Sequence, residues 1–599
     1  MTPALPWRRP RHELALLALV ALAVLSPVHA IGAQDTTRLC LTGALEHAHL
    51  SADSCLAWAL DKSQHGRHLY SDKAPGLSLL AVPAAEAVRL DSEHLDDARV
   101  WAVRLLTSGI AFLVLAFLVG RVGEGLAPGC GGATLVACSL GTLVAPFAAT
   151  SFSHVPAASL GFAAFVLAWS RRHALAGLAA GGAVLVEYQA AAIVLVLAVY
   201  VAFRGLRRVG AYALGVVPGV ALLLAYDTLA FGAPWHLSYR YIANGYVFFQ
   251  NRGVFGVDTP SAYGTYQLLA GAGGLLVISP VLVAAVWGLV LLGRTYPREA
   301  LVCAAVTLVF AAIEIGYFLP YGGISPGPRF FVPALPFLAL GVAAAFRRAP
   351  AATSVLAVLS VVPTVALTLV WSTSPHLHRT VWWELARVVG HGEHSRLVTG
   401  LTGNALGWVG AGRIAAAAVV ALAAAAAVVL GLPGLPRVRH ARSRGAVFAA
   451  AASVAAVAVA DASALAEYPY TTRSVPPPPL LFTTLGASKT DALPGDEVDF
   501  TATVENPQPT DAGDAVLHVA LSPGLRLLGA PAVERGPGCA GTSELACNLE
   551  FMPARQTTAV RFGVRVLPGA AAEQTVTAWS SAEGFTRGRP RVTIRTGSS

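Results

Sequence analysis

Two residues set the chemical question in this chain: Asp35, in Asp35-Thr36-Thr37-Arg38, and Lys73, in the stretch Gly66–Gly76 (Gly-Arg-His-Leu-Tyr-Ser-Asp-Lys-Ala-Pro-Gly). A carboxylate can take a proton from an acceptor hydroxyl. An ammonium can hold a phosphate and offset its charge as it departs. Of 42 basic residues, only Lys62, Lys73 and Lys489 are lysines, against 39 arginines. Two of the three share one polar loop, each directly after an aspartate (Asp61-Lys62 and Asp72-Lys73). Lysine offers a point charge where arginine offers a planar fork, so its use against an arginine background marks this loop. Tyr70 and His68 lie in the same stretch. Further along come Glu187 in Glu187-Tyr188-Gln189, His236, Glu314 inside an apolar run, and Arg329 in Gly322–Phe331 (Gly-Gly-Ile-Ser-Pro-Gly-Pro-Arg-Phe-Phe).

Each candidate has a plainer alternative. Asp35 could cap the helix that follows it, and Lys73 could snorkel to lipid headgroups. Asp72 suits a turn or a partner for Lys73, Glu187 a solvated turn, and His236 a membrane edge. Glu314 could bond a neighbouring helix, although an ionisable residue inside a span is a functional suspect by default.

The elements that must position these groups are membrane helices. The chain of 599 residues is 55% hydrophobic and 13% charged, with mean hydropathy +0.61. Several apolar runs reach the roughly 20 residues that cross a bilayer. The formal charge of +9 comes from arginine clusters between those runs, which is the pattern of cytoplasmic loops. Nucleic acid is excluded as a partner, because single-strand binders interleave basic stripes with aromatics.

A first helix at Leu14–Leu25 follows Arg8, Arg9 and Arg11. Val28-His29-Ala30 resembles a signal-peptidase site, yet a retained anchor is the preferred expectation. Further spans are expected at 99–120, 130–149, 154–170, 174–187, 189–203, 210–228, 268–292, 299–319, 330–346, 352–372, 411–432 and 445–465. That makes about thirteen helices. This count puts Arg121, Arg171-Arg172, Arg204, Arg207-Arg208, Arg294, Arg298, Arg347-Arg348 and the Arg437–Arg444 cluster on the cytoplasmic side. The long loops 32–97, 229–267, 319–329 and 373–410 then face outward, and 174–203 must turn near Glu187. Trp382 and Trp383, near His376 and His378, suit an aromatic belt.

Residues 1–467 form the membrane domain. A Pro-rich linker at 468–484 contains Pro476–Pro479, a stiff spacer. From 485 to 599 the pattern is β: Val498, Phe500, Ala502 and Val504 alternate with polar residues, as do Val560, Phe562, Val564 and Val566. This predicts an antiparallel sandwich of roughly seven strands. Cys539 and Cys547 are spaced for a small disulfide loop, and Cys40 and Cys55 in the first outer loop could pair. Cys130, Cys138 and Cys303 fall in or beside spans and read as buried hydrophobes. No Cys/His spacing suggests zinc, no GxxxxGKS phosphate loop supports ATP-driven transport, and no Gly-x-Ser-x-Gly elbow follows a strand.

The two opening motifs resemble those of the C-superfamily (GT-C) glycosyltransferases. The likeness is to the bacterial branch of the protein mannosyltransferases and the aminoarabinose transferase of lipid A. In that family a first outer loop opens with an acidic pair and an arginine, and a Lys-Pro-Pro-like turn follows. Here Asp35-Thr36-Thr37-Arg38 and Tyr70–Gly76 stand in that order, with Thr36 and Ala74 as departures. Gly177–Tyr188 is similar to the family's Gly-rich stretch, with Glu187 where a lysine is usual, and Gly322–Phe331 to its late outer loop. The resemblance covers about residues 14–345. Gly495-Asp496, Val504-Glu505-Asn506, Leu521–Leu525 and the Cys539/Cys547 pair resemble the immunoglobulin-like repeat domain of bacterial cell surfaces.

The resemblance implies a polytopic α-helical membrane protein with a C-terminal extracytoplasmic β-sandwich, set in the bacterial plasma membrane. It implies transfer of a sugar from a polyprenyl-phosphate donor to an envelope glycan, lipid or protein acceptor, with inversion. Asp35 would be the base, Lys73 and Arg329 the phosphate clamps, and Arg38 an ion partner or phosphate contact. It leaves a divalent metal open. The rival readings are a non-catalytic scaffold presenting the sandwich and a transporter of lipid-linked sugars. The second predicts repeated halves and mid-bilayer charges, neither of which is evident.

Overall fold

The computed structural model describes residues 10–29, 31–56, 59, 61–92, 94–243, 250, 253–271, 273–323, 325–370, 397–400, 411–433, 481–506, 512–536, 538–553, 556–582, 585–586 and 590–596. The expected span 445–465, the tryptophans Trp382 and Trp383 and the polyproline run lie outside these. The chain forms two compact units: residues 1–50, 73–236 and 252–468 in one, and 51–72, 237–251 and 469–599 in the other.

The first unit is helical. Among the described residues six helices are long and apolar enough to cross a membrane, or seven if one bent pair counts as a single span. They are α4 (Asp97–Leu126), α9 (Leu206–Phe231), α12 (Pro297–Gly316), α13 (Arg329–Arg348), α14 (Pro350–Val370) and α15 (Arg413–Gly431). Shorter helices fill the order: α1 (Pro10–Leu25), α2 (Ala33–Glu46), α3 (Gly76–Val88), α5 (Gly131–Leu140), α6 (His154–Trp169), α7 (His173–Val186) and α8 (Ala191–Ala202). Two more are α10 (Ala262–Ala270) and α11 (Val281–Gly293), and single-turn helices lie at Val144–Ala148 and Leu275–Ile278. The chain is therefore a helical membrane protein with a C-terminal β region. Buried Leu16, Val20 and Val24 put α1 inside the common core, where Ala423 and Ala427 of α15 also lie. The most apolar window of α13 is 89% buried and that of α9 22%, so α13 is central and α9 peripheral.

Two expected spans are not continuous helices, a third run divides where its terminal arginines require, and each break has a local cause. The run 130–149 stops at Gly141, and Thr142 turns its hydroxyl back to the Cys138 carbonyl at 2.6 Å. The run 268–292 bends by 92° beside Pro280. Ser279 takes φ −133° and ψ 64°, because a residue before proline is pushed out of the helical region. The run 174–203 divides at Glu187, which is extended at φ −150°, ψ 116°. In α4 the chain passes through a π-turn at Leu105–Gly109, directly after Arg104. Such widened turns are frequent at functional sites.

The C-terminal region holds two sheets. Strands are β1 (Phe482–Ala487), β2 (Glu497–Glu505), β3 (Ala512–Leu521), β4 (Leu525–Val533), β5 (Glu544–Met552), β6 (Thr557–Val566), β7 (Glu573–Ala582) and β8 (Arg591–Thr596). One sheet runs β1-β2-β6-β4; the other runs β5-β3-β7-β8, with short strands Gly538–Ala540 and Asp491–Ala492 at its edges. Val498, Phe500, Ala502 and Val504 share one buried cluster with Leu517, Val519, Val576 and Ile594 of the other sheet. This follows from period-two alternation, which sends every second side chain inward. Phe500 and Phe562 face each other in register and stack at 5.4 Å. Cys539 and Cys547 are disulfide-bonded across the edge pair.

Candidate functional site

A buried polar cluster in the helical unit gathers groups from α2, from the turn before α6, from the break at Glu187, and from the segment between α12 and α13. Its first part is centred on Asp35, 3% exposed. Arg104 forks onto both oxygens, Nε to Oδ1 at 2.9 Å and Nη2 to Oδ2 at 2.8 Å. The Ser151 N–H donates to Oδ1 at 3.1 Å and the Gly32 N–H to Oδ2 at 2.9 Å. Asp35 thus caps α2 and carries an arginine at once. Burial pushes its carboxyl up, but Arg104 and the bonds from Ser151 and Gly32 hold it below the usual carboxylate range. The third arm of Arg104 donates to the His29 carbonyl at 2.8 Å.

One turn on, Arg38 is also buried and donates through Nη2 to Ser153 Oγ at 2.7 Å. Ser153 in turn donates to Glu187 Oε2. Glu187 is 4% exposed, which corrects the expectation of a solvated turn: the break in the helix pair points its carboxylate inward. His154 Nδ1 lies 3.8 Å from the same Oε2. The imidazole is 3% exposed, roughly parallel to Phe147 and Phe330 and tilted against Phe152, each at 5.8 Å between ring centres. Neither of its nitrogens has a hydrogen-bond partner. Arg38, Lys73 and Arg329 all come near enough to act on it electrostatically.

Lys73, 8% exposed, is seated by the glycine three residues later. A Cβ on Gly76 would come within 2.6 Å of the Leu185 carbonyl and 2.8 Å of Val186 N. Only glycine lets the Lys73 loop approach the backbone of the Glu187 turn this closely.

Arg329 lies over Phe330 at 5.1 Å and Phe152 at 5.7 Å, within cation–π reach. Its Nε has no hydrogen-bond partner. Nearby Glu314 accepts the Phe330 N–H through Oε2 at 2.9 Å and leaves Oε1 unpartnered. The loop before Arg329 takes positive φ at Tyr321, Gly322 and Gly323 (60°, 74° and 102°). A side chain at Gly322 would strike the guanidinium. The strained Tyr321 is pinned by its hydroxyl, which donates to Gln267 at 2.8 Å and accepts the Gly273 N–H at 2.9 Å. Backbone strain of this kind persists only where its surroundings enforce it.

The structure therefore brings Lys73, Arg38, Arg329 and Glu187 around His154, with Glu314 beside Arg329, and ties Asp35 to the same Ser151–Ser153 segment. The His236 Nδ1–H donates to the Phe231 carbonyl at 2.9 Å, beyond the end of α9. Tyr70 and Asp72 belong to the second unit. There Ser63–His65 and His68–Tyr70 form a hairpin, and Ser238 donates to the Asp72 carbonyl at 2.8 Å. Cys40 and Cys55 are each disulfide-bonded. Among the described residues no three His, Cys, Asp or Glu converge as metal ligands.

Arg104, Ser151, Ser153 and Phe330 escape a sequence reading. Arg104 alone carries a usable signal, a charge inside an apolar run. Serines and phenylalanines are too common in spans to mark a site.

No family model and no curated protein matches the chain. Among solved structures it is similar to the oligosaccharyltransferase AglB of Archaeoglobus fulgidus, solved with an inhibitory peptide and a dolichol-phosphate. Identity is 12% over 64% of this chain and 58% of that one, with TM-score 0.37. It is also similar to the arabinosyltransferase EmbB of Mycobacterium smegmatis, at 14% identity over 98% and 65%, TM-score 0.34. The chain thus spans less than two thirds of either. A collagen-binding domain of a Staphylococcus aureus adhesin is matched over 21% of this chain and 100% of that one, at 11% identity and TM-score 0.15. Scores this low carry no inference about activity.

Proposed function

We propose that the protein is a membrane glycosyltransferase of the GT-C type, moving a sugar from a polyprenyl-phosphate donor to an acceptor hydroxyl. The observation that carries this reading is the convergence of Arg38, Lys73 and Arg329 on one buried, partly unsatisfied polar cluster. Two buried cations, Arg38 and Lys73, and the part-buried Arg329 gather on this one cluster, and a concentration of positive charge in a low-dielectric site favours an anionic ligand. A phosphate supplies that charge, and a lipid tail explains why the site lies within the apolar helices. In this reading the site faces the extracytoplasmic side of the plasma membrane, and the β region stands outside as a spacer or glycan contact.

The transfer is a single displacement. The acceptor oxygen attacks the anomeric carbon, the bond from that carbon to the phosphate oxygen breaks, and its electron pair leaves with the phosphate. The configuration inverts. Of the acids in the cluster, Asp35 is the base expected from the sequence. Its four donors fill the four lone-pair directions a carboxylate offers, so it must first give one up.

The test supplies the purified protein in lipid nanodiscs with labelled polyprenyl-phosphate sugars, and measures transfer or slow release to water. Turnover that disappears in Lys73→Met and Arg329→Met supports the reading. A wild-type protein that binds and turns over none of these donors overturns it.

A further inference from the structure

We infer that His154, oriented by Glu187, is the group that receives the proton from the acceptor hydroxyl. This inference rests on the transferase reading above. Asp35 and His154 are both buried, but their hydrogen bonding is opposite. Asp35 has every lone pair occupied, two of them by a guanidinium that opposes protonation. His154 has both ring nitrogens unpartnered while 3% exposed. A buried polar group without a partner in a native fold calls for an explanation. A ligand that completes it is the one offered here.

The neighbours fix its form. Glu187 Oε2 stands 3.8 Å from Nδ1 and is held by Ser153, itself held by Arg38. A small turn of the ring closes that gap. The carboxylate then selects the tautomer with the proton on Nδ1, and leaves the lone pair of Nε2 directed away from Glu187. That is how an acid orients a histidine base. Phe147 and Phe330 lie roughly parallel to the ring and offer no competing acceptor.

The cations add a condition. Arg329, Arg38 and Lys73 stand within electrostatic reach of His154. Bound phosphate offsets them, so the imidazole becomes an effective base once the donor is in place. The proton passes from the acceptor hydroxyl to Nε2, the oxygen bonds to the anomeric carbon, and the phosphate departs with the electron pair. The imidazolium returns the proton to water as the products leave. In this scheme Asp35 is a positioning residue: it holds Arg104 and, through Ser151, the segment that carries Ser153 and His154.

The test uses the full-length protein in nanodiscs with a labelled short-chain polyprenyl-phosphate sugar. His154→Ala is expected to lower kcat by about 100-fold or more with a donor KM changed by less than about threefold. Added imidazole is expected to restore part of that rate. Glu187→Gln should lose activity that Glu187→Asp partly keeps. Asp35→Ala should lose activity that formate does not restore. Equal turnover by wild type and His154→Ala overturns the dyad, as does a loss that imidazole leaves unchanged, or rescue of Asp35→Ala by formate. If His154→Ala aggregates, the near-isosteric His154→Gln decides by its kcat alone. A wild type that turns over no donor fails the transferase reading and the dyad with it; a wild type matched by His154→Gln fails the dyad only.

Discussion

Two arginine–carboxylate neighbours of the cluster share their residue chemistry and differ in bonding. Around Asp35 and Arg104 every lone pair of the acid is taken, by two guanidinium bonds and two backbone N–H groups. Around Glu314 and Arg329, one carboxylate oxygen and the arginine Nε have no partner. Both pairs are buried or nearly so, and desolvated charge is tolerated only when it is paired and hydrogen-bonded. The first pair satisfies this within the fold. The second leaves bonding capacity for a ligand. A complete network serves architecture, and under the proposed function the incomplete one at the same depth is where the donor binds.

This contrast can be broken by experiment. Arg104→Met leaves the Asp35 carboxylate buried with two donors missing and should destabilise the protein by about 3–5 kcal/mol, read as a lowered Tm in detergent. Arg329→Met should leave Tm nearly unchanged and weaken donor binding by about 1.5–3 kcal/mol, the worth of a hydrogen bond to a charged group. Equal effects on Tm would erase the distinction. Gly76→Ala sharpens it from the side. Its methyl group must displace the Leu185–Val186 backbone, costing about 1–3 kcal/mol as overpacking does, and turnover should fall more than stability because Lys73 and Glu187 flank the contact.

The smallest expected effect is in pH. The folded Asp35 carboxyl lies below its unfolded value. The stability it contributes is therefore fully present above about pH 4, the unfolded range, and is lost as the pH falls through the folded value. Asp35→Asn should lack that acid limb in a plot of Tm against pH. A wild type and variant with parallel acid limbs would contradict the bonding described.

Much of the helical layout can be read from hydropathy, because a span must be about as long as the bilayer is thick. The break at Glu187 is legible from the arginines at both ends of 174–203. The bend at Pro280 was equally available in the residues, yet a continuous span at 268–292 is what apolar length alone suggests. The alternation in β2 and β6 foretold which side chains turn inward, since a pleated strand offers few alternatives. The site was partly legible: Lys73, Arg38 and Arg329 are exceptional against their surroundings. Their gathering around His154 was not, because Ser153 and Glu187 are 34 residues apart and Arg104 and Asp35 69. A lone histidine at a membrane edge carries no mark of whether its nitrogens will find partners.

The glycine contact beneath Lys73 has a consequence for engineering. Since the backbone of Gly76 lies against that of Leu185 and Val186, the ammonium-bearing loop and the kinked hairpin behave as one welded joint. A chimera that imports either piece from a related chain must import both, or the graft will arrive with its charges out of alignment.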